Sequence, residues 1–177
     1  MRDKICIIGL GYVGLPLALE FSKSYNVVGY DLNSKRVKSL AENHDENLET
    51  EGNIVTKNLQ LTANYKEIKD CNIYIIAVPT PIDSKYKPDI SILISACKTV
   101  GKLITKNDIV VIESTVYPGC TRNDCMPVIS KYSKLKANKD YFFGYSPERI
   151  NPGDKIHTLS SIKKVISASD DKTLKKL

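Results

Sequence analysis

Short apolar runs and amphipathic segments take turns along this chain. The apolar runs are continuous and rich in isoleucine and valine, which is typical of strands buried on both faces of a parallel sheet. Between them, apolar residues recur every three or four positions, which indicates helices with one buried face. The predicted strands are residues 4–9, 26–31, 72–81, 108–115, 140–148 and 162–169, with a short extra strand at 59–62.

Helices are predicted between these strands. They are residues 12–24, 33–43, 65–71, 89–104, 121–135 and 170–177, and a polar, irregular stretch covers residues 44–58. Asn33 or Ser34 is expected to cap the second helix, and Pro127 to kink the fifth helix or mark its restart. Strands that alternate with helices at this spacing predict an α/β fold. We expect a Rossmann-like, doubly wound parallel sheet that takes up residues 1–177 as one domain.

The first predicted strand leads into a glycine motif. Gly9, Gly11 and Gly14 have the spacing G-x-G-x-x-G between a strand and a helix, and the second strand ends in Asp31. In a dinucleotide site the first glycine permits a tight turn, the second admits the pyrophosphate, and the third lets the helix pack on the strand. Asp31 would accept hydrogen bonds from the adenosine ribose. Arg36 could meet the 2′-phosphate of NADP, but Asp31 would repel that group, so the motif predicts NAD; the alternative is a glycine turn with a surface aspartate.

Polar residues follow three more predicted strands. Because the carboxyl ends of parallel strands meet at one edge, where open α/β sheets bind ligands, these segments are expected to converge there. Thr80 and Thr115 could reach a cofactor or substrate, or could cap the turns in which they lie. Glu148 and Arg149 could serve the same site, or could form a solvated turn or a salt bridge. The three segments are residues 78–81, 113–119 and 145–154.

The composition and charge argue against several classes of function. Of the 177 residues, 42% are hydrophobic and 26% are charged, as in an ordinary folded protein, and the net charge is +6. Lysine-rich segments lack the aromatic interleaving of a nucleic-acid surface, and no apolar run is long enough for a membrane span. The start of the chain does not resemble a signal peptide. We therefore expect a cytoplasmic protein with an anionic small ligand and without nucleic-acid or membrane partners.

The five cysteines of the chain do not form a metal-binding motif. Their number is odd and their spacings fit no known ligand set, so we expect buried free thiols and no metal site. They are Cys6, Cys71, Cys97, Cys120 and Cys125.

Four segments together resemble one enzyme family. "GLGYVGLPLA", "AVPTPID", "ESTVYPGCT" and "GYSPERINPGD" are similar, in order, to motifs of the nucleotide-sugar dehydrogenases, which include UDP-glucose and GDP-mannose dehydrogenases. The motifs cover nearly the whole chain. "STVYPG" with "YSPERINPGD" is most similar to the branch that acts on UDP-N-acetylhexosamines, especially the UDP-N-acetylglucosamine 6-dehydrogenases of surface-polysaccharide synthesis.

The resemblance implies a reaction and a set of site residues. Such enzymes oxidise the carbon-6 alcohol of the sugar to a carboxylate with two NAD⁺, and a cysteine holds the intermediates as a thiohemiacetal and a thioester. By motif match, Glu148 would act as the base on water that hydrolyses the thioester, and Thr115 would help position that water. Arg149 and Ile150 would contact the nucleotide-sugar substrate. The residues that would contact NAD are Tyr12, Val13, Asp31, Arg36, Thr80 and Thr115.

The chain departs from the family at its catalytic residues and at Cys120, where many relatives have threonine after "PG" and which we interpret as a turn residue without a redox role. The nucleophilic cysteine of the family lies in a Gly-Gly-x-Cys-x-Pro segment downstream of the NAD domain, and its catalytic lysine also lies downstream; neither is present here. Cys125 mimics the end of the cysteine motif, but it lies in a predicted helix, so we interpret it as structural. We therefore expect the N-terminal domain of a larger enzyme, with Leu174 and Leu177 uncovered and dimerisation through an absent central region.

Other functions remain open at this stage. A stand-alone NAD-binding regulatory module would use the same pocket without a nucleophile. The domain could also serve a UDP-N-acetylmannosamine, UDP-glucose or GDP-mannose dehydrogenase. A hydroxyacid or 6-phosphogluconate-type dehydrogenase is disfavoured, because its chemistry does not require "YSPERINPGD".

Overall fold

A seven-stranded sheet organises the chain, and the order of its strands places the glycine motif at the centre. The computed structural model describes residues 3–47, 53–148 and 163–177. The strands are β1 (Lys4–Ile8), β2 (Asn26–Tyr30), β3 (Leu59–Thr62), β4 (Ile73–Ile76), β5 (Ile109–Ile112), β6 (Phe142–Tyr145) and β7 (Ser167–Ala168). The helices are α1 (Gly14–Ser22), α2 (Ser34–Ala41), α3 (Ser91–Gly101), α4 (Met126–Ser133) and α5 (Asp171–Lys176), with a 3₁₀ turn at Tyr65–Ile68.

The strand order is β3-β2-β1-β4-β5-β6-β7, and β1 to β6 run parallel. The chain winds outward from β1 in one direction and from β4 in the other, so a crevice forms between the carboxyl ends of these two strands. The predicted doubly wound sheet is confirmed, and the extra strand at 59–62 is its outer strand, β3.

Helices cover both faces of the sheet, and each face has its own apolar cluster. On one face, Leu93 and Val100 of α3 and Ile129 of α4 pack with buried strand residues such as Tyr74. On the other, Leu15 of α1 packs in a cluster with residues of β1, β4 and β5. Strands buried on both faces account for the continuous apolar runs in the sequence.

Helix ends follow the expected chemistry. Asn33 caps α2, because its side-chain oxygen accepts hydrogen bonds from the backbone N–H groups of Lys35 and Arg36 at 3.1 and 3.2 Å. The predicted helix over 121–135 divides into a π turn at Thr121–Cys125 and then α4, with Pro127 in the first turn of α4. Proline lacks the N–H that would continue the preceding hydrogen-bond pattern, so the helix restarts there.

The last strand differs from the prediction. The sequence predicts a parallel strand over 162–169. Of its described residues, 163–169, only Ser167 and Ala168 join the sheet, and they pair with β6 in the antiparallel direction. Val165 and Ile166 are 54% and 38% exposed. An apolar run indicates burial but carries no information on strand direction, which explains the error.

The C-terminal helix also differs in part. Leu174 is exposed, as predicted, but Leu177 packs at the edge of an apolar cluster, where its Cδ1 atom contacts the position that a side chain on Gly144 would occupy. The expectation that Leu177 is uncovered is therefore wrong. A glycine in the middle of β6 leaves room for this leucine.

Candidate functional site

The glycine turn links β1 to α1 and has the geometry that the motif predicts. Gly9 has a φ of +92°, and a Cβ there would lie 2.8 Å from the carbonyl oxygen of Ala77. A Cβ on Gly14 would collide with the carbonyl oxygen of Gly9. Both positions therefore require glycine, one for its backbone conformation and the other for close packing of α1 on the turn.

The same turn leaves open space where a pyrophosphate would bind. A Cβ on Gly11 would have none of the described atoms within 4 Å. In this part of the chain no side chain caps the N-terminus of α1, and no acidic residue lies in its first turn. The first N–H groups of a helix carry partial positive charge and donate to phosphate oxygens. Tyr12 is half-exposed and Val13 is partly buried beside this opening, so the turn fits a dinucleotide.

Asp31 lies at the end of β2, beside the turn. Its Oδ2 atom accepts a hydrogen bond from the backbone N–H of Leu10 at 2.8 Å, and its Oδ1 atom accepts one from the N–H of Asn33 at 2.8 Å. A carboxylate has about four acceptor positions, so it can hold the turn and still accept hydrogen bonds from ribose hydroxyls. Asp31 therefore lies where the motif predicts it, after β2 and beside the glycine turn.

Arg36 lies beneath the glycine turn rather than in the open. Its Nε atom donates to the carbonyl oxygen of Leu10 at 3.0 Å, and its Nη2 atom lies 2.6 Å from Oδ1 of Asp45. The side chains of the two partners are 9% and 2% exposed. In this position Arg36 supports the turn through a buried ion pair, and its contact with NAD stays a prediction. Sequence reasoning missed Asp45, because that residue lies in the irregular polar stretch.

The ends of β4 and β5 are joined at the carboxyl edge of the sheet. The hydroxyl of Thr80 donates to the carbonyl oxygen of Thr115 at 2.6 Å, and the hydroxyl of Ser114 donates to the carbonyl oxygen of Val78 at 2.7 Å. Thr115 itself is exposed at this edge. The structure therefore brings the two predicted threonines together, although their roles in binding stay predictions.

The ends of β5 and β6 meet around a lysine. The Nζ atom of Lys164 contacts Oε1 of Glu113, and it lies 3.2 Å from Oε2 of Glu148. Thr115 is two residues beyond Glu113, so Glu148 and Thr115 lie at the same edge of the sheet. Sequence reasoning missed Lys164; its signal was a lysine inside an apolar strand pattern, which needs a partner when it is buried.

Two predicted substrate residues, Arg149 and Ile150, lie outside the described residues. Glu148 is the last described residue before that gap.

The five cysteines are free and buried, as predicted. Burial raises the pKa of the Cys120 thiol to about 12. The pKa of Cys125 is raised well above its usual range, first by a hydrogen bond with Cys97 and then by burial. A protonated, buried thiol is a poor nucleophile, which supports a structural interpretation of Cys125.

A separate cavity of about 600 Å³ opens beside the π turn. Its lining includes Tyr117, Arg122, Phe143 and Ser167 and does not include the glycine turn. The part of the chain that the structure describes contains no helix long and apolar enough to cross a membrane.

A parallel sheet in this strand order, with a glycine turn after the first strand and an acid after the second, defines a dinucleotide-binding domain of the dehydrogenase type. Comparison with known proteins identifies the family. The sequence model of the UDP-glucose/GDP-mannose dehydrogenase family, NAD binding domain, matches residues 3–177, and the chain belongs to this family. It is an NAD-binding domain.

Named relatives agree with this assignment. The chain is 54% identical over 168 residues to the UDP-N-acetyl-D-glucosamine 6-dehydrogenase of Salmonella typhi, covering 94% of this chain and 40% of that protein. It is 51% identical over 172 residues to the enzyme of the same name from Pseudomonas aeruginosa, covering 96% and 41%. The chain thus spans about two fifths of the length of these relatives.

A solved structure agrees as well. The UDP-D-ManNAc dehydrogenase of Pyrococcus horikoshii superimposes with a TM-score of 0.88 at 29% identity, over 98% of this chain and 43% of that one. The Rossmann-like fold of the chain is therefore that of solved nucleotide-sugar dehydrogenases.

Proposed function

We propose that this NAD-binding domain serves a UDP-N-acetylglucosamine 6-dehydrogenase. The observation that carries the proposal is that Thr115 and Glu148 both follow strands at the carboxyl edge of the sheet that holds the glycine turn. The choice of sugar rests on relatives with that name at 51% and 54% identity, against 29% for the solved UDP-D-ManNAc dehydrogenase.

In the proposed reaction the carbon-6 alcohol loses two hydrides, and water supplies the second oxygen of the carboxylate. NAD, when bound at the glycine turn, supplies the hydride acceptor. The residues of this chain would hold it there through the N–H groups at the start of α1 and through Asp31. Arg36 would keep the turn in place from below. Thr80 and Thr115 would border the reacting end of the cleft.

Glu148 is proposed as the base in the hydrolytic step. Its carboxylate would take a proton from the water that attacks a thioester, and Thr115 would orient that water. Hydrolysis needs a base because neutral water is a weak nucleophile. Arg149 and Ile150, next in the sequence, are proposed to contact the nucleotide sugar.

The thiol nucleophile is proposed to come from outside this chain. The described cysteines are buried, and the pKa values of Cys120 and Cys125 are raised, which is the opposite of what nucleophilic catalysis needs. We propose that the remaining three fifths of a full-length protein supply the thiol, the rest of the substrate cleft and the homodimer contacts. We place that protein in the cytoplasm, where NAD and nucleotide sugars are available.

The test uses the full-length protein with Glu148→Gln. We expect a burst of two NADH per active site that then stops, together with a covalent sugar adduct on the enzyme in intact-protein mass spectrometry. Glu20→Gln, at a surface ion pair with Lys23, is the matched control and should turn over normally. Normal turnover by Glu148→Gln would contradict the assigned role. A wild-type protein that binds NAD but oxidises no nucleotide sugar would favour a regulatory module.

A further inference from the structure

Lys164 lies between the ends of two strands, and the proposed reaction gives this lysine no role. Its Nζ atom contacts the carboxylates of Glu113, at the end of β5, and Glu148, after β6. The three side chains are largely buried: 19% of Lys164, 3% of Glu113 and 8% of Glu148 is exposed. We call this group the Lys164 clamp.

The antiparallel direction of β7 explains how Lys164 reaches this place. Ser167 pairs with Tyr145, the last residue of β6, so β7 begins at the carboxyl edge of the sheet. The residues just before β7 therefore lie at that edge. A parallel strand would have placed Lys164 at the opposite edge, far from Glu148.

Charge explains why the clamp needs a cation. Glu113 and Glu148 touch the same nitrogen atom, so the two carboxylates are neighbours in a poorly solvated place. Two carboxylates in one poorly solvated site repel each other, and an ammonium in contact with both offsets that repulsion. Among the described residues, these are the titratable groups placed against Lys164, one from β5 and one from the segment after β6.

We propose that Lys164 is a positioning residue for Glu148, which holds that carboxylate at the edge of the cleft, where it can take a proton from water. The proposal rests on the proposed function and deepens it. Glu113 anchors Lys164 from the end of β5 and offsets part of its positive charge.

Protonation of Lys164 is consistent with this role at neutral pH. Burial lowers the pKa of Lys164 to about 8. The two carboxylates that contact it favour its charged form, so the ammonium is present where the reaction would run.

A merely structural bridge and a positioning role predict different kinetics. In the full-length protein, Lys164→Met removes the cation that holds Glu148, so the hydrolytic step should slow while both hydride transfers proceed. We therefore expect a burst of two NADH per active site and a covalent sugar adduct, as for Glu148→Gln. Glu113→Gln keeps the lysine but weakens its anchor, so it should give the same burst with a smaller loss of steady-state turnover. Loss of stability would instead lower the burst and the steady-state rate together.

The experiment measures the NADH burst, kcat, and KM for UDP-N-acetylglucosamine and NAD, with circular dichroism to verify folding. At neutral pH we expect Lys164→Met to lower kcat at least tenfold with KM for NAD within twofold of wild type. Lys164→Arg should restore most of the activity. Lys163→Met changes the adjacent, exposed lysine and should match wild type throughout.

Two results would overturn the proposal. One is a folded Lys164→Met protein with the kcat of Lys163→Met and no covalent adduct. The other is a folded Glu113→Gln protein with the kcat of Lys163→Met and no covalent adduct, and this result decides alone if Lys164→Met fails to fold. A wild-type protein without two-step oxidation of a UDP-sugar would instead refute the proposed function, and the role of Lys164 with it.

Discussion

Replacing Asp31 by alanine should weaken NAD binding and loosen the glycine turn at the same time. The side chain would lose its hydrogen bonds to the ribose, and charge-assisted bonds of this kind contribute about 1.5–3 kcal/mol. The affinity for NAD should therefore fall roughly ten- to hundred-fold. Affinity for NADP should fall less, or rise, because the carboxylate that repels the 2′-phosphate is gone.

The structure also gives the expected loss of stability. In the absence of Asp31, water can reach the exposed N–H of Asn33, but the N–H of Leu10 belongs to a fully buried residue. Leaving a buried donor without an acceptor costs about 1–3 kcal/mol. For a domain of this size each kcal/mol corresponds to roughly 2–4 °C in the melting temperature.

The assay is calorimetric titration of the chain with NAD and with NADP, together with a thermal melt. Asp83→Ala is a matched control, because Asp83 also accepts two backbone N–H bonds, from Lys85 and Lys87, but in an exposed loop. The control should leave NAD affinity unchanged. Equal affinity of wild type for NAD and NADP, or an Asp31→Ala protein that binds NAD like the control, would show that Asp31 does not hold the ribose.

Three further predictions concern two glycines and a cysteine. Gly11→Ala should leave the melting temperature within about 2 °C of wild type, since its Cβ meets none of the described atoms, but should reduce NAD affinity at least tenfold because the methyl group would occupy the pyrophosphate space. Gly14→Ala should lower both stability and affinity, because its Cβ collides with a backbone oxygen; equal behaviour of the two variants in a melt would contradict this distinction. Cys120 should resist iodoacetamide at pH 8 in the folded chain, since its pKa is about 12, and should react in denaturant; peptide mass spectrometry reads both states, and rapid labelling of the folded chain would count against a buried thiol.

The parts of the fold that sequence could predict are those that depend on local pattern. Runs such as residues 73–76 and 109–112 had to be strands buried on both faces, and the Gly9-to-Gly14 spacing had to form a turn before a helix. These features depend on side-chain burial and backbone conformation, which neighbouring residues determine.

The parts that sequence could not predict depend on contacts between distant residues. The direction of β7 depends on its pairing with β6. Because of that direction, Lys164 lies beside Glu113 and Glu148. The inward position of Arg36 depends on Asp45, nine residues away in an irregular stretch. Contacts between residues this far apart leave no periodic pattern in the sequence.

We propose that this domain serves a two-step oxidation of a UDP-N-acetylhexosamine. The most direct test supplies UDP-N-acetylglucosamine and NAD to the full-length protein, counts NADH by absorbance and identifies the sugar product by mass spectrometry. We expect two NADH for each uronic acid formed, and no turnover by the 177-residue chain alone. One NADH per sugar with an aldehyde product, or sustained turnover by the chain alone, would contradict the account.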